Sequence, residues 1–206
     1  GVAGVCHNCK IMSLKIFNTS PFPMDNTIPG INYAINNGAN IISMSFGSGG
    51  HSSAFDDIIM TAHNNGIIMV ASAGNQNQSN TPIYPAAYAQ VIGVAGTDSR
   101  DIRWSNSNYG TWVDISAPAM LIFNLRNFGY SAYYTGTSLA APQVAGVAGL
   151  ILSRNPSLTK AQVENIILTT CDNIDAQNPA YIGMLGCGRL NANRALLATP
   201  VLNRPG

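Results

Sequence analysis

Apolar positions recur along this chain in two rhythms. In Ile31-Asn32-Tyr33-Ala34-Ile35 they fall at helical spacing, and the pattern stops at Asn37-Gly38, a helix C-terminal signal, before the run Ile41-Ile42-Ser43-Met44-Ser45. The figure then repeats. Ser53 is an N-cap candidate, Phe55, Ile58, Ile59 and Ala62 mark one helical face, Asn65-Gly66 closes it, and residues 67–71 form the next apolar run. Helix, glycine and apolar strand, twice in succession, predict a parallel sheet, because strands buried on both faces read as continuous apolar runs. Residues 91–95 and 113–115 supply further strands, and residues 11–17 a short one ahead of a Pro-, Asn- and Thr-rich loop that lasts through Pro29. Residues 137–154 are small and apolar nearly all round, which predicts a buried helix, and residues 159–169 predict an amphipathic, more exposed one. The fold class is therefore α/β: a doubly wound, mostly parallel sheet with helices on both faces. No internal repeat, low-complexity tract or linker divides residues 1–206, which predicts a single domain.

Composition narrows the function classes. With 206 residues, 46% hydrophobic and only 9% charged, the chain has ample surface to bury, which excludes disorder. Ten Lys and Arg against nine Asp and Glu leave no basic stripe to neutralise a phosphate backbone, so nucleic acid is not an expected partner. The longest nearly apolar stretch, residues 139–152, falls short of the roughly 20 residues of a membrane span and contains Pro142 and Gln143, so no membrane span is expected. Gly1 follows no start Met, and the expectation is a processed product or a fragment. The spacing of the four cysteines suggests Cys6 with Cys9 and Cys171 with Cys187 in an oxidising compartment. A metal site at Cys6-His7-Asn8-Cys9 lacks a second pair of ligands.

Ligands of a parallel α/β sheet gather at the carboxyl ends of its strands. Three segments of unusual composition fall there: Ser45-Phe46-Gly47-Ser48-Gly49-Gly50, Ala73-Gly74-Asn75 and Gly136-Thr137-Ser138. A serine in the first turn of a buried helix sits at the positive end of the helix dipole, beside unpaired N–H donors, a suitable place for a nucleophile whose intermediate carries an oxyanion. An Asn facing it would be a second donor. Taken singly, each has an ordinary explanation, an N-cap for Ser138 and a turn residue for Asn75.

Taken together they resemble the subtilisin-like serine proteases. Gly136-Thr137-Ser138-Leu139-Ala140-Ala141-Pro142-Gln143-Val144-Ala145-Gly146 is similar to that family's nucleophile block, departing at Leu139 and Gln143. Ala71-Ser72-Ala73-Gly74-Asn75 resembles its oxyanion block, and Ile42-Ser43-Met44-Ser45-Phe46-Gly47 its substrate-binding strand. Tyr84-Pro85-Ala86, Val91-Ile92-Gly93-Val94, residues 105–119 and Gly186-Cys187-Gly188-Arg189-Leu190-Asn191-Ala192 follow in family order, so the resemblance covers essentially the whole chain. It implies a subtilisin-like fold and a serine endopeptidase working through an acyl-enzyme on Ser138, with Asn75 and the Ser138 N–H as oxyanion donors. It further implies that Ser45, Phe46 and Gly47 pair with an extended polypeptide substrate, together with Thr137. Ala73 and Gly74 would leave room for the first substrate side chain, and Ile83 would narrow the pocket floor.

A serine nucleophile needs a base and an orienting carboxylate. The family carries these in an Asp-Ser/Thr-Gly block and a His-Gly-Thr block, and neither occurs in these residues. Gly1-Val2-Ala3-Gly4-Val5 resembles the segment that follows the His helix, so the chain reads as the C-terminal two-thirds of a catalytic domain, truncated at its N-terminus. The missing N-terminal segment of the same gene product would then be a partner. His63 at a helix end, His51 in the Gly-rich loop and His7 between cysteines offer no evident base, although His51 could touch a bound peptide. The isolated chain is expected to be inactive. The alternative is a catalytically incompetent remnant or pseudoprotease that at most binds extended peptides. A nucleotide-binding domain lacks its phosphate loops here. No cofactor is identified; structural calcium accompanies the family, but Asp98, Asp101 and Asp114 form no oxygen-rich loop that would assign a site. Cysteines and low charge suit a secreted or cell-envelope protein.

Overall fold

The computed structural model describes residues 2–17, 26–79, 81–125 and 132–202. Its centre is a four-stranded parallel sheet in the order β1 (Ile41–Met44), β2 (Ile68–Ser72), β3 (Ile92–Thr97) and β4 (Ile115–Pro118). Every residue of β2 and β3 is buried, as the unbroken apolar runs require of strands covered on both faces. Helices α1 (Thr27–Asn36) and α2 (Ser53–Asn64) cover one face, where Ile31, Phe55, Ile59 and Ala62 pack on Met44, Met69 and Ala71. On the other face α3 (Thr137–Arg154) buries Ala140, Ala141, Val144, Val147 and Ile151 against Ile68, Val70, Val94 and Ile115. Two further helices, α4 (Lys160–Thr169) and α5 (Ala192–Ala198), back it. The fold is the doubly wound α/β architecture that the chain's periodicity predicts.

Helix ends follow local chemistry. Thr159 and Gln162 close a reciprocal capping box at the start of α4, satisfying two of its unpaired donors. The side chain of Asn191 caps α5 by accepting from the Arg194 N–H. Small residues on α3 let another segment lie close: a Cβ at Gly146 would meet Val5, and one at Gly149 would come within 2.7 Å of Cys9 Sγ. Both disulfides pair as the spacing suggests, Cys6 with Cys9 and Cys171 with Cys187.

Three readings of the sequence need correction. Residues 11–17 form no strand. Their apolar alternation is used instead for packing, Ile16 against Gly30 and Phe17 edge-on to Phe46, while Ile11 stays exposed and no strand of the described residues pairs alongside. Helix α1 begins four residues earlier than the periodicity suggested, at Thr27, with Pro29 tolerated in its first turn. An antiparallel pair, β5 (Ile122–Asn124) with β6 (Ala132–Tyr134), stands between β4 and α3 where no element was expected. The loop reading for residues 18–25 lies outside the described residues.

Candidate active site

The carboxyl ends of β1 and β2 and the first turn of α3 converge on a cleft of about 320 Å³. It is lined by Ser45, Phe46, Gly47, Ser48 and Gly49 after β1, by Ser72, Gly74, Asn75, Gln76 and Gln78 at and after the end of β2, and by Thr81, Ile83 and Ser138. Two antiparallel backbone bonds between Ser48 and Tyr84, of 2.9 and 2.8 Å, fix the loop after β1 to the segment that follows the oxyanion block. Gly47 is required by this close approach: a Cβ there would lie 2.6 Å from Ile83 Cγ2 and 2.8 Å from the Tyr84 carbonyl oxygen. At Gly74, with φ +101°, a side chain would be strained and would meet the Asn108 amide at 2.5 Å.

Asn75 is oriented by its neighbours. Its Oδ1 accepts from the Thr137 N–H at 2.9 Å and from Thr137 Oγ1 at 2.7 Å. Thr137 Oγ1 in turn accepts from the Gly74 N–H at 3.1 Å. With both lone pairs of Oδ1 engaged by donors, the amide can be assigned one way only, and Nδ2 is left as a donor with no acceptor among the described residues. The Ser138 N–H, in the first turn of α3, likewise meets no acceptor there, as expected of the initial N–H groups of a helix. Asn75 Nδ2 and the Ser138 nitrogen both lie close to Gly136, 3.6 and 3.8 Å from where a Cβ there would stand, at the positive end of an 18-residue helix.

The Ser138 hydroxyl and carbonyl are both tied to Ser45. Pro142 lies inside α3 and has no N–H, so the carbonyl four residues before it, that of Ser138, loses its helical partner. Ser45 Oγ supplies the missing donor at 2.9 Å, and Ser138 Oγ donates back to the Ser45 carbonyl at 3.3 Å. Gln143 Nε2 adds bonds to the Leu139 and Pro118 carbonyls, stiffening the same turn against β4.

Most of the residues singled out in the sequence meet here: Ser45, Phe46, Gly47, Gly74, Asn75, Ile83 and Ser138 all line the cleft. Two do not. Ala73 is fully buried among Ala95, Val113, Ile174 and Leu185, and Ser72 faces the cleft in its place, because successive residues at a strand end point to opposite sides. Thr137 is also fully buried and acts on Asn75 rather than on the cleft surface. Ser72, Gln78 and Thr81 were not singled out; the alternation of β2 is the signal that marks Ser72.

None of the three histidines lines the cleft. His51 Nε2 lies 3.0 Å from Asp56 Oδ2, and its ring packs edge-on to Tyr84 and against Tyr88. Burial and the neighbouring Asp56 carboxylate push the Tyr88 hydroxyl up to about 12. His63 occupies the last turn of α2, and His7 lies exposed in the turn between Cys6 and Cys9. Asp114 is partly buried beside β3, where desolvation raises its carboxyl above the ordinary range even though it accepts the Gly93 N–H at 2.7 Å. No group of three or more potential metal-ligating residues occurs among the described residues. No described helix is long and apolar enough to cross a membrane.

Comparison with known proteins gives a consistent result. Residues 1–188 match the Subtilase family. The chain is 37% identical over 178 residues to subtilisin DY of Bacillus licheniformis, covering 84% of this chain and 65% of that protein. It is 36% identical over 199 residues to thermitase of Thermoactinomyces vulgaris, covering 95% and 68%. Among solved structures, proteases from Pseudoalteromonas arctica superpose with a TM-score of 0.88 at 30% identity, over 97% of this chain and 66% of that one. The chain thus spans about two thirds of the length of these relatives.

Proposed function

Because this chain belongs to the subtilase family, we propose that it carries the nucleophile, the oxyanion donors and the substrate cleft of a serine endopeptidase that acts through an acyl-enzyme on Ser138. The observation that carries this reading is the arrangement around Asn75, whose Oδ1 is held by Thr137 and whose Nδ2 lies, like the Ser138 nitrogen, within 4 Å of the Cβ position of Gly136. A tetrahedral oxyanion would accept from both, and such preorganised donors are worth far more in a desolvated cleft than in water. An extended polypeptide would lie along residues 45–47 by strand addition, and its first side chain would enter between Gly74 and Ile83. Ser72, Gln78 and Thr81 give that pocket a polar lining and Ile83 limits its depth, which suits small or neutral polar side chains. Two disulfides suit an exported protein.

Among the described residues no histidine lines the cleft beside Ser138, and the proposed reaction requires a general base supplied from elsewhere. A second reading follows from the same observation: with its hydroxyl bonded to the Ser45 carbonyl and no base beside it, the chain by itself would bind extended peptides without cleaving them. Fluorophosphonate labelling separates the two. Labelling of Ser138 is expected in the product of the whole reading frame and not in the 206-residue chain. Labelling in neither would favour the binding-only reading, and labelling in the short chain would overturn the need for an outside base.

A further inference from the structure

Asn75 sits in a turn that is held by one buried side chain. Past the end of β2 the backbone takes positive φ at Gly74 (+101°) and at Asn77 (+55°), so its polar groups need partners other than a neighbouring strand. All five N–H groups of residues 74–78 find one. Gly74 donates to Thr137 Oγ1 and Asn77 to the Asn106 carbonyl, while Gln76 and Gln78 both donate to Oδ1 of Asn108, each at 3.0 Å. The Asn75 N–H donates at 2.9 Å to Oε1 of its neighbour Gln76, and the same oxygen accepts from Asn108 Nδ2 at 3.1 Å. Asn108 Nδ2 also donates to the Ala73 carbonyl at 2.9 Å.

Asn108 is fully buried, and its side-chain amide has nothing left over. Two lone pairs and two hydrogens are its whole capacity, and all four are spent on residues 73–78, in the one orientation of the amide that satisfies them. Its own N–H donates to the Gly74 carbonyl at 2.9 Å. Ser107 Oγ donates to the Asn108 carbonyl and accepts the Gly96 N–H, both at 2.9 Å, which roots this template in β3. A buried polar network satisfied throughout specifies a single geometry. Thr137 fixes only the side-chain end of Asn75, and the main chain from which that side chain hangs must be fixed separately. We infer that Asn108 is a positioning residue for the proposed oxyanion donor: it holds the main chain on both sides of Asn75, at Ala73 and Gln76, and through Gln76 Oε1 it reaches the Asn75 N–H itself. A donor stabilises a developing oxyanion only if it is in place before the charge appears, within about 0.5 Å. This inference rests on the peptidase reading with Asn75 as donor.

The test is a set of double-mutant cycles in kcat. The product of the whole reading frame would be assayed on an uncharged peptide anilide with Asn108→Asp, Gln76→Ala or Gln76→Glu, each alone and combined with Asn75→Ala. Asn108→Asp keeps the acceptor for the Gln76 and Gln78 N–H groups and removes both donations. It is expected to lower kcat about tenfold with KM within twofold, and to cost less than twofold once Asn75→Ala has removed the donor it positions. Gln76→Ala, at an exposed position, is expected to lower kcat about threefold with the same dependence on Asn75. Gln76→Glu retains an acceptor oxygen and should restore kcat to nearly that of the parent. Equal losses with and without Asn75 would make the contacts of Asn108 merely structural and overturn the inference, as would a change confined to KM. If Asn75→Ala by itself left kcat unchanged, the oxyanion reading would fall and the inference with it, so the two failures are distinct. Should Asn108→Asp not fold, the Gln76 variants decide the question alone. Amide hydrogen exchange on the 206-residue chain adds a reading that needs no turnover: the N–H of the exposed Asn75 should exchange at least tenfold faster in Gln76→Ala, and an unchanged rate would overturn the inference.

Discussion

Ser45 Oγ donates to the carbonyl of Ser138 at 2.9 Å, and Ser138 Oγ donates to the carbonyl of Ser45 at 3.3 Å. The first bond satisfies a carbonyl that Pro142 orphans, and the second parks the hydroxyl of Ser138, the proposed nucleophile, on the backbone of the segment proposed to hold the substrate. Position 142 thus governs position 45. Ser45→Ala is expected to cost about 1 kcal/mol, the usual net worth of one hydrogen bond, and to lower the melting temperature by roughly 2–4 °C. Pro142→Ala restores an N–H aimed at the same carbonyl. The double variant should therefore lose less than the sum of its parts, and strict additivity in a thermal double-mutant cycle would contradict this coupling.

Asn75→Ala removes a proposed oxyanion donor. In subtilisin the loss of that donor is known to cost on the order of a hundred- to a thousand-fold in turnover, and the same range is expected here in a catalytically complete form of the protein. Thr137→Val acts one step further out. It deprives Asn75 Oδ1 of one of two donors and the Gly74 N–H of its acceptor. Turnover should fall about tenfold with little change in KM, because the amide loses its fixed orientation while the cleft walls keep their shape. A loss confined to KM would assign Thr137 to substrate contact instead.

Ile83→Ala should widen the pocket, since the isoleucine side chain fills the space beneath Gly47. Discrimination against a first side chain longer by one or two methylenes should relax by about tenfold, within the range that a hydrophobic pocket can provide. Profiling against peptides that differ only at that residue would measure it. Gly47→Ala should remain damaging in the Ile83→Ala background, because the Tyr84 carbonyl still obstructs the new Cβ at 2.8 Å.

Acid should act on a different part of the molecule. Hydrogen bonds from Asn191, and then from Arg189 and Arg194, hold the Asp172 carboxyl below its ordinary range in spite of its partial burial. A carboxylate with a depressed folded-state pKa contributes stability that is present in full above its unfolded value of about 3.9 and is lost as pH falls through the folded value. Urea midpoints between pH 6 and pH 2 should therefore drop below about pH 4 in the parent. In Asp172→Asn they should be lower near neutrality and converge with the parent at the acid end. Parallel curves would remove Asp172 from the acid response.

How much of this was legible in the sequence depends on whether the deciding interaction is local. Ser138, Asn75 and the loop at residues 45–47 lie in short contiguous blocks, and their meeting follows from strand ends of a parallel sheet. The tie between Ser45 and Ser138 spans 93 positions and depends on a proline that sequence reading treats only as a helix irregularity. Thr137 reads as a first-turn residue, and only the folded contact with Asn75 shows it as a positioning group. Ala73 reads as a pocket wall because, like Gly74, it lacks bulk, whereas strand alternation turns it into the core. Residues 11–17 show that alternation alone does not make a strand without a neighbour to pair with. The β5–β6 pair escaped because its strands are only three residues each and fall outside the helix-glycine-strand figure that marks the central sheet.

The Cys6–Cys9 bridge closes a loop too short to gain much from restricting the unfolded chain, unlike the 16-residue separation of Cys171 and Cys187. Its worth is mechanical. It makes a compact covalent knob that seats on Gly149, in the fourth turn of the same helix whose first turn carries Ser138. A helix indexed at that depth cannot slide along its axis without unseating the knob. Reduction of this bridge would therefore be felt less as lost stability than as play in the axial position of Ser138.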